Sequence, residues 1–256
     1  MKRRWSLITA IAVLTVALAF VVVQLVRGQG AGNQQAGANP SAPGAGTDAE
    51  ALRGVGWWPL HQSGTAKAGE RDAVVGGGTQ WTEGPTGGAL RLDGTSGYAD
   101  TGIRLDTVGK DYSIAARVRL TDEDMNGFHT AVSQDGDRIS TFFLQYSGQD
   151  RNFAFSFTGA RTVAEQTEKP QPGRWYHLTG TYSQKDHRMR LYVDGRLAGS
   201  RAAATSVKPT GAVVIGRAEF DGKPADYWKG DIAEVHVYDR ELTAAQVQSL
   251  SSREPG

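Results

Sequence analysis

The residues best suited to hold a ligand in this sequence are aromatic. Sugar rings stack on exposed aromatic faces while amides, guanidinium groups and carboxylates fix the hydroxyls. Tyr146, Arg151, Tyr227 and Trp228, with Gln134 and Gln145 as polar neighbours, are the candidates for such a surface. A packing role competes for three of them: Tyr227 and Trp228 covering a sheet edge, and Tyr146 in a core. Five histidines, His61, His129, His177, His187 and His236, show no close metal spacing and read as ordinary strand or loop residues. No serine is paired with a base in a recognisable elbow. Cysteine is absent, which removes thiol nucleophiles, thiolate metal sites and disulfides together. Asp122, Glu123 and Asp124 are consecutive beside Asn126 and Gly127, which is the composition of a solvated turn.

Strands must position these side chains. Tyr112, Ile114, Ala116, Val118 and Leu120 alternate with Ser113, Ala115, Arg117 and Arg119, the period of a half-buried strand. Phe142, Leu144 and Tyr146 share one face, and so do Phe153, Phe155 and Phe157; the turn-like Ser147–Asp150 between them predicts a hairpin with an aromatic wall. Trp175–Tyr182 is another extended run. Met189, Leu191 and Val193 alternate up to Asp194 and Gly195, a pair suited to a type I′ turn because both central residues need positive φ, and Arg196–Ser200 returns. Ala212–Gly216 and Asp231–Tyr238 complete the strand set, and glycine-rich stretches at 76–78 and 84–88 read as turns around a short strand carrying Trp81. Only the end looks helical: Thr243 and Gln246 have capping-box spacing, and Ala244, Val247 and Leu250 form a short apolar stripe. Many short strands with almost no helix predict an all-β, two-sheet antiparallel sandwich or barrel and exclude parallel α/β architectures.

The 256 residues, 39% of them hydrophobic, suffice for one large β domain behind an export segment. The balance of 28 basic against 27 acidic residues provides no field to gather a polyanion, so nucleic acid is not an expected partner. Lys2, Arg3 and Arg4 precede an apolar run from Leu7 to Val26, about the length that crosses a hydrocarbon core. Residues 1–27 therefore read as a signal anchor with its N-terminus inside, or as a cleaved signal peptide ending near Ala17–Ala19. Residues 28–50, rich in Gly, Ala, Gln, Asn and Pro, read as a flexible linker, and 51–252 as the folded domain. Both readings of the first segment place the domain outside the cytoplasm, anchored to the membrane or secreted.

Five motifs stand in order along the domain: GALRLDGT at 88–95, WYHLTGTY at 175–182, LYVDG at 191–195, IGR at 215–217 and GDIAEVHVYDRELT at 230–243. Together they resemble the laminin-G-like jelly rolls of the concanavalin A-like lectin and glucanase superfamily, from Trp57 to Leu250. The resemblance implies two curved antiparallel sheets that hold a glycan, a proteoglycan or an extracellular protein on the concave face or rim. Glucanases on this fold carry acids at alternate positions of one strand, placing two carboxylates about 5–9 Å apart. No Glu-x-Asp-x-Glu pattern exists here, and the nearest segment, Glu234–Glu241, has no carboxylate at the alternate positions required. Calcium is a further implication, because related domains hold one ion with carboxylate and carbonyl oxygens; Asp93, Asp226 and Glu234 are the candidate ligands. Two departures delete charge: the family's Trp-x-Leu-Asp-Glu opening is Trp58–Gln62 here, and its acid before Glu234 is Ala233. The leading expectation is a lectin-type, non-catalytic binding module, with a glucanase-type hydrolase and a structural assembly domain as alternatives.

Overall fold

The computed structural model describes residues 52–121, 126–203 and 207–253. The anchor expected at 1–27 and the linker at 28–50 lie outside the described residues, and among those described no helix is long and apolar enough to cross a membrane.

Two antiparallel sheets enclose one core. The first holds β1 (Gly56–Trp58), β3 (Thr79–Thr82), β4 (Ala89–Asp93), β6 (Tyr112–Leu120), β11 (Trp175–Ser183), β12 (Arg188–Val193), β13 (Arg196–Ala202) and β17 (Lys229–Tyr238). Its order is β13-β12-β11-β6-β17-β4-β3, with β1 also paired to β17. The second holds β2 (Val74–Gly76), β5 (Tyr98–Asp100), β7 (Phe128–Gln134), β8 (Phe143–Ser147), β9 (Asn152–Phe157), β10 (Ala160–Val163) and β14 (Val213–Ile215), ordered β10-β9-β8-β7-β14-β5-β2. A separate hairpin of β15 (Ala218–Phe220) and β16 (Lys223–Ala225) is tied to the second sheet by a bridge between Ile139 and Phe220 and by the Ser140 N–H, which donates to the Glu219 carbonyl.

Alternation decides what fills the space between the sheets. Ile114, Ala116 and Val118 of β6 point inward with Leu178 of β11 and Leu191 of β12, and they meet Leu144, Phe153 and Phe155 from the second sheet. An aromatic cluster forms where the sheets face: Tyr112 lies 5.7 Å from Phe142 and 5.7 Å from Tyr182, and Phe157 packs edge-on to Tyr182 at 5.3 Å. Gly180 is required there, since a Cβ would come within 2.6 Å of the Phe155 ring. The expected β12–β13 hairpin turns at Asp194 and Gly195, with φ of 49° and 77°.

The helix α1 (Ala244–Ser251) builds a second, smaller core on the outer face of the first sheet. Its capping box joins the Thr243 side chain to the Gln246 N–H and the Gln246 side chain to the Thr243 N–H. Val247 and Leu250 then pack on Leu52, Ala115, Tyr192, Tyr238 and Leu242. Residues that alternation sends outward from β6, β12 and β17 are therefore covered as well.

Truncating Phe155 to alanine should cost about 3–5 kcal/mol, because the opposing sheets cannot collapse onto so large a void. Thr243→Ala removes only a cap and should cost about 1 kcal/mol. Denaturant unfolding midpoints of the two variants check this order, and a reversal would contradict the packing described.

Candidate functional site

On the second sheet, the face turned away from the core carries a groove of about 580 Å³. Phe128, Phe143, Ser156 and Arg161 line it from the strands, and Phe220 and Asp226 line it from the β15–β16 hairpin and the segment after it. Gln145 forms part of the floor: its Oε1 accepts from the Thr130 hydroxyl at 3.3 Å, and its Nε2 donates to Ser156 Oγ at 3.1 Å. The Arg161 guanidinium lies 4.5 Å from the Phe128 ring centre and reaches Asp150 Oδ2 at 3.2 Å. Phe220 is 60% exposed. Asp226, whose backbone is left-handed with φ 52°, lines the groove. Burial pushes its carboxyl up against the opposing pull of His129. The groove thus combines an open aromatic ring, a guanidinium and a partly desolvated carboxylate.

A second constellation lies on the outer face of the first sheet. Along one edge β17 pairs with β4 through Lys229–Ile232 and with β1 through Val235–Val237, so the handover leaves a notch at 233–234. Glu234 fills it with φ 50° and its N–H donating to the Pro59 carbonyl. Its carboxylate accepts from Trp57 Nε1 at 2.8 Å and the Thr86 hydroxyl at 2.9 Å, with His61 Nε2 at 3.1 Å. His236 stands 3.6 Å from the same carboxylate and stacks on Trp57 with ring centres 5.3 Å apart.

A family profile, Laminin_G_3, described as the concanavalin A-like lectin/glucanases superfamily, matches residues 93–248, more than half of the chain. The chain belongs to that superfamily. Relatives in sequence include pentraxin-type proteins. The rat sushi, von Willebrand factor type A, EGF and pentraxin domain-containing protein 1 is 26% identical over 186 residues, covering 68% of this chain and 5% of that protein. Human neuronal pentraxin-1 is 30% identical over 89 residues, covering 31% of this chain and 20% of its own. The chain therefore spans a small part of the length of these relatives. Domain 4 of AbnA, an extracellular arabinanase of family GH43 from Geobacillus stearothermophilus solved with arabinotriose, superposes with a TM-score of 0.61 at 18% identity, over 77% of this chain and 98% of that domain. That likeness is one of fold.

On this superfamily scaffold the residues expected to face a ligand scatter. Gln145 and Asp226 line the groove, although the Gln145 amide is already committed. Tyr146 points inward and packs edge-on to Phe153 at 6.3 Å, the packing role weighed for it from sequence. Trp228 is fully buried in the core, and the buried Gln134 amide bonds both the N–H and the carbonyl of Leu105. Arg151 sits between β8 and β9 with φ 51°, and Tyr227 bridges Thr130. Asp93, Asp226 and Glu234 line three different cavities. Asp93 caps its own turn, accepting the N–H groups of Thr95, Ser96 and Gly97. Among the described residues no group of three or more His, Asp or Glu side chains is gathered that could hold a metal ion. Sequence reasoning missed Phe220, Arg161 and the gathering of His61, His177 and His236 on one cavity. The outward alternation of His177 and His236 was visible, but their convergence depends on tertiary pairing.

The buried groups of the notch set an acid limit on stability. Burial would raise Glu234, yet hydrogen bonds from His236, Trp57 and Thr86 hold its carboxyl below the ordinary glutamate range. Burial, reinforced by Arg117 and His236, pushes His177 down to about 3, and burial also lowers His236. All three bind fewer protons folded than unfolded, so their contribution is complete above the unfolded histidine value of about 6.5 and is lost as pH falls. Urea midpoints should decline from about pH 7 to about pH 3, and Glu234→Gln should flatten the part of that decline below about pH 4.5. A variant slope as steep as the parent's would contradict the assignment.

Proposed function

We propose that this chain is a non-catalytic binding module that takes a glycan in the groove of the second sheet, displayed outside the cytoplasm on its N-terminal segment. The observation that carries the reading is Phe220: an open aromatic ring on the same groove as the Asp226 carboxylate and the Arg161 guanidinium. An aromatic platform with a few convergent polar groups is how a sugar face and its hydroxyls are held. The AbnA domain, solved in complex with arabinotriose, supports a glycan over a protein as the first ligand to try. The run from Leu7 to Val26 behind Lys2, Arg3 and Arg4 supports the outside location.

One observation favours a second reading. Asp226, raised by burial, shares the groove with Asp150, which is paired to Arg161. A carboxyl raised by burial and a salt-bridged carboxylate lining one groove are the kind of pair between which a glycosidase divides its labour. A single experiment separates the two readings. On an oligosaccharide array, Phe220→Ala should weaken binding about tenfold, as loss of an anchoring aromatic does. Asp226→Asn should weaken it as well, with no reducing sugar released by the parent. Release of reducing sugar that Asp226→Asn abolishes would establish the hydrolase instead. A blank array together with saturable capture of a purified extracellular protein would replace the glycan with a protein ligand.

A further inference from the structure

The cavity beside the Glu234 notch has a volume of about 540 Å³ and lies between the outer face of the first sheet and the C-terminal end of α1. Strand register assembles it. His177 stands directly across from Arg117, and Arg117 stands across from Ala233, where the irregularity of β17 begins. His177 is 2% exposed and lines the cavity, yet its Nδ1 has no hydrogen-bond partner within the protein. A buried polar atom left unmet forfeits the hydrogen bonds it would make in water. Burial keeps the ring uncharged, so Nδ1 is free to carry a proton and donate it.

The charges around this nitrogen are uneven. Lys67, Arg117 and Arg253 line the cavity against a single carboxylate, Glu234. That carboxylate is already taken up by Trp57, Thr86 and His61. Among the described residues, Arg117 makes hydrogen bonds through Nη2 alone, to the carbonyls of Ser251 at 2.8 Å and Arg253 at 3.2 Å, and pairs with no carboxylate. The rest of its donor fork is available, and a fork of this kind suits planar or tetrahedral oxyanions.

We propose that this cavity is a binding site for a small oxyanion, a carboxylate or a phosphate group, held by Arg117 and His177 Nδ1–H with Lys67 and Arg253 at its mouth. The site lies on the opposite sheet from the glycan groove, uses none of its residues and stands or falls separately.

The test uses the full chain labelled with 15N-histidine, titrated at low ionic strength with inorganic phosphate, acetate and glucuronate, and with glucose as the uncharged control. The His177 ring signals should move saturably with at least one anion and stay fixed with glucose, while His129 stays fixed throughout. Phosphate against the two carboxylates tells which oxyanion fits. Arg117→Gln should weaken binding about tenfold or more, one charge-assisted contact. Because Arg117 also caps α1, Lys67→Gln is the companion variant: it should weaken binding severalfold with an unchanged melting temperature. His177 signals indifferent to all three anions, equal movement with glucose, or parental affinity in both variants would overturn the proposal.

Discussion

One extra residue in β17 governs the architecture of the first sheet. The ladder with β6 is in register from Gly230 to Ala233 and again from His236 to Tyr238, so Glu234 and Val235 together face the single Ala116. Strict alternation could not send Ile232, Val235 and Val237 all inward, because 232 and 235 differ in parity. The bulge restores the inward set and places Glu234, His236 and Tyr238 against the outer coverings. It also falls where the other edge of β17 passes from β4 to β1. Core continuity, the notch and the surface on which α1 packs thus share one irregularity. A bulge stays where it is only if its freed groups are paired, and here the Glu234 N–H goes to Pro59 while its carboxylate gathers Trp57, Thr86 and His61.

Next to the bulge, the outer face carries a row of directly opposed residues: Arg91 across from Asp231, Asp231 across from Arg119, and Arg119 across from Trp175. Asp231 is fully buried and takes both guanidinium groups, Arg91 Nε at 2.8 Å and Arg119 Nε at 2.7 Å, while Arg119 also lies over the Trp175 ring. Opposed charges in the same rung are the sheet counterpart of helical ion pairs. Removing the acid would leave two cations facing one another, so the pairing fixes register more than it adds stability. Two rungs further along on the same face, His177 and Arg117 lack such a counter-charge among the described residues, and they line the cavity above them.

The sequence was legible where the period of two ran unbroken. β6, β9, β11 and β12 follow alternating runs, the β12–β13 turn follows Asp194 and Gly195, and α1 follows its capping box. β7 was not legible: it carries Thr, Ser and Gln at buried positions, and a bulge between Thr130 and Val132 breaks its alternation. β2, β5, β15 and β16 have three residues each, too few to show any period. The ligand surface was read poorly for a related reason. Aromatic identity cannot say whether a ring points in or out, so Tyr146 and Trp228 were candidates on chemistry and turned out to be core on register. Phe220, in a polar loop sequence, owes its place to the bridge with Ile139.

Both candidate sites arise from the way the sandwich covers its outer faces. A sheet with one face in water would alternate apolar and polar residues cleanly. Here the outer face of the second sheet is partly roofed by the β15–β16 hairpin, and that of the first by α1 together with Leu52. Each roof is shorter than the sheet beneath it. Where it ends, outward side chains line a cavity: Phe143 and Ser156 on one side, Arg117 and His177 on the other. Half-desolvated polar groups interact more strongly with a ligand than the same groups in water, because less hydration is surrendered on binding. The common framework of two sheets can therefore stay fixed while short roofing elements determine what each face recognises, and function follows from residues that alternation directs away from the core.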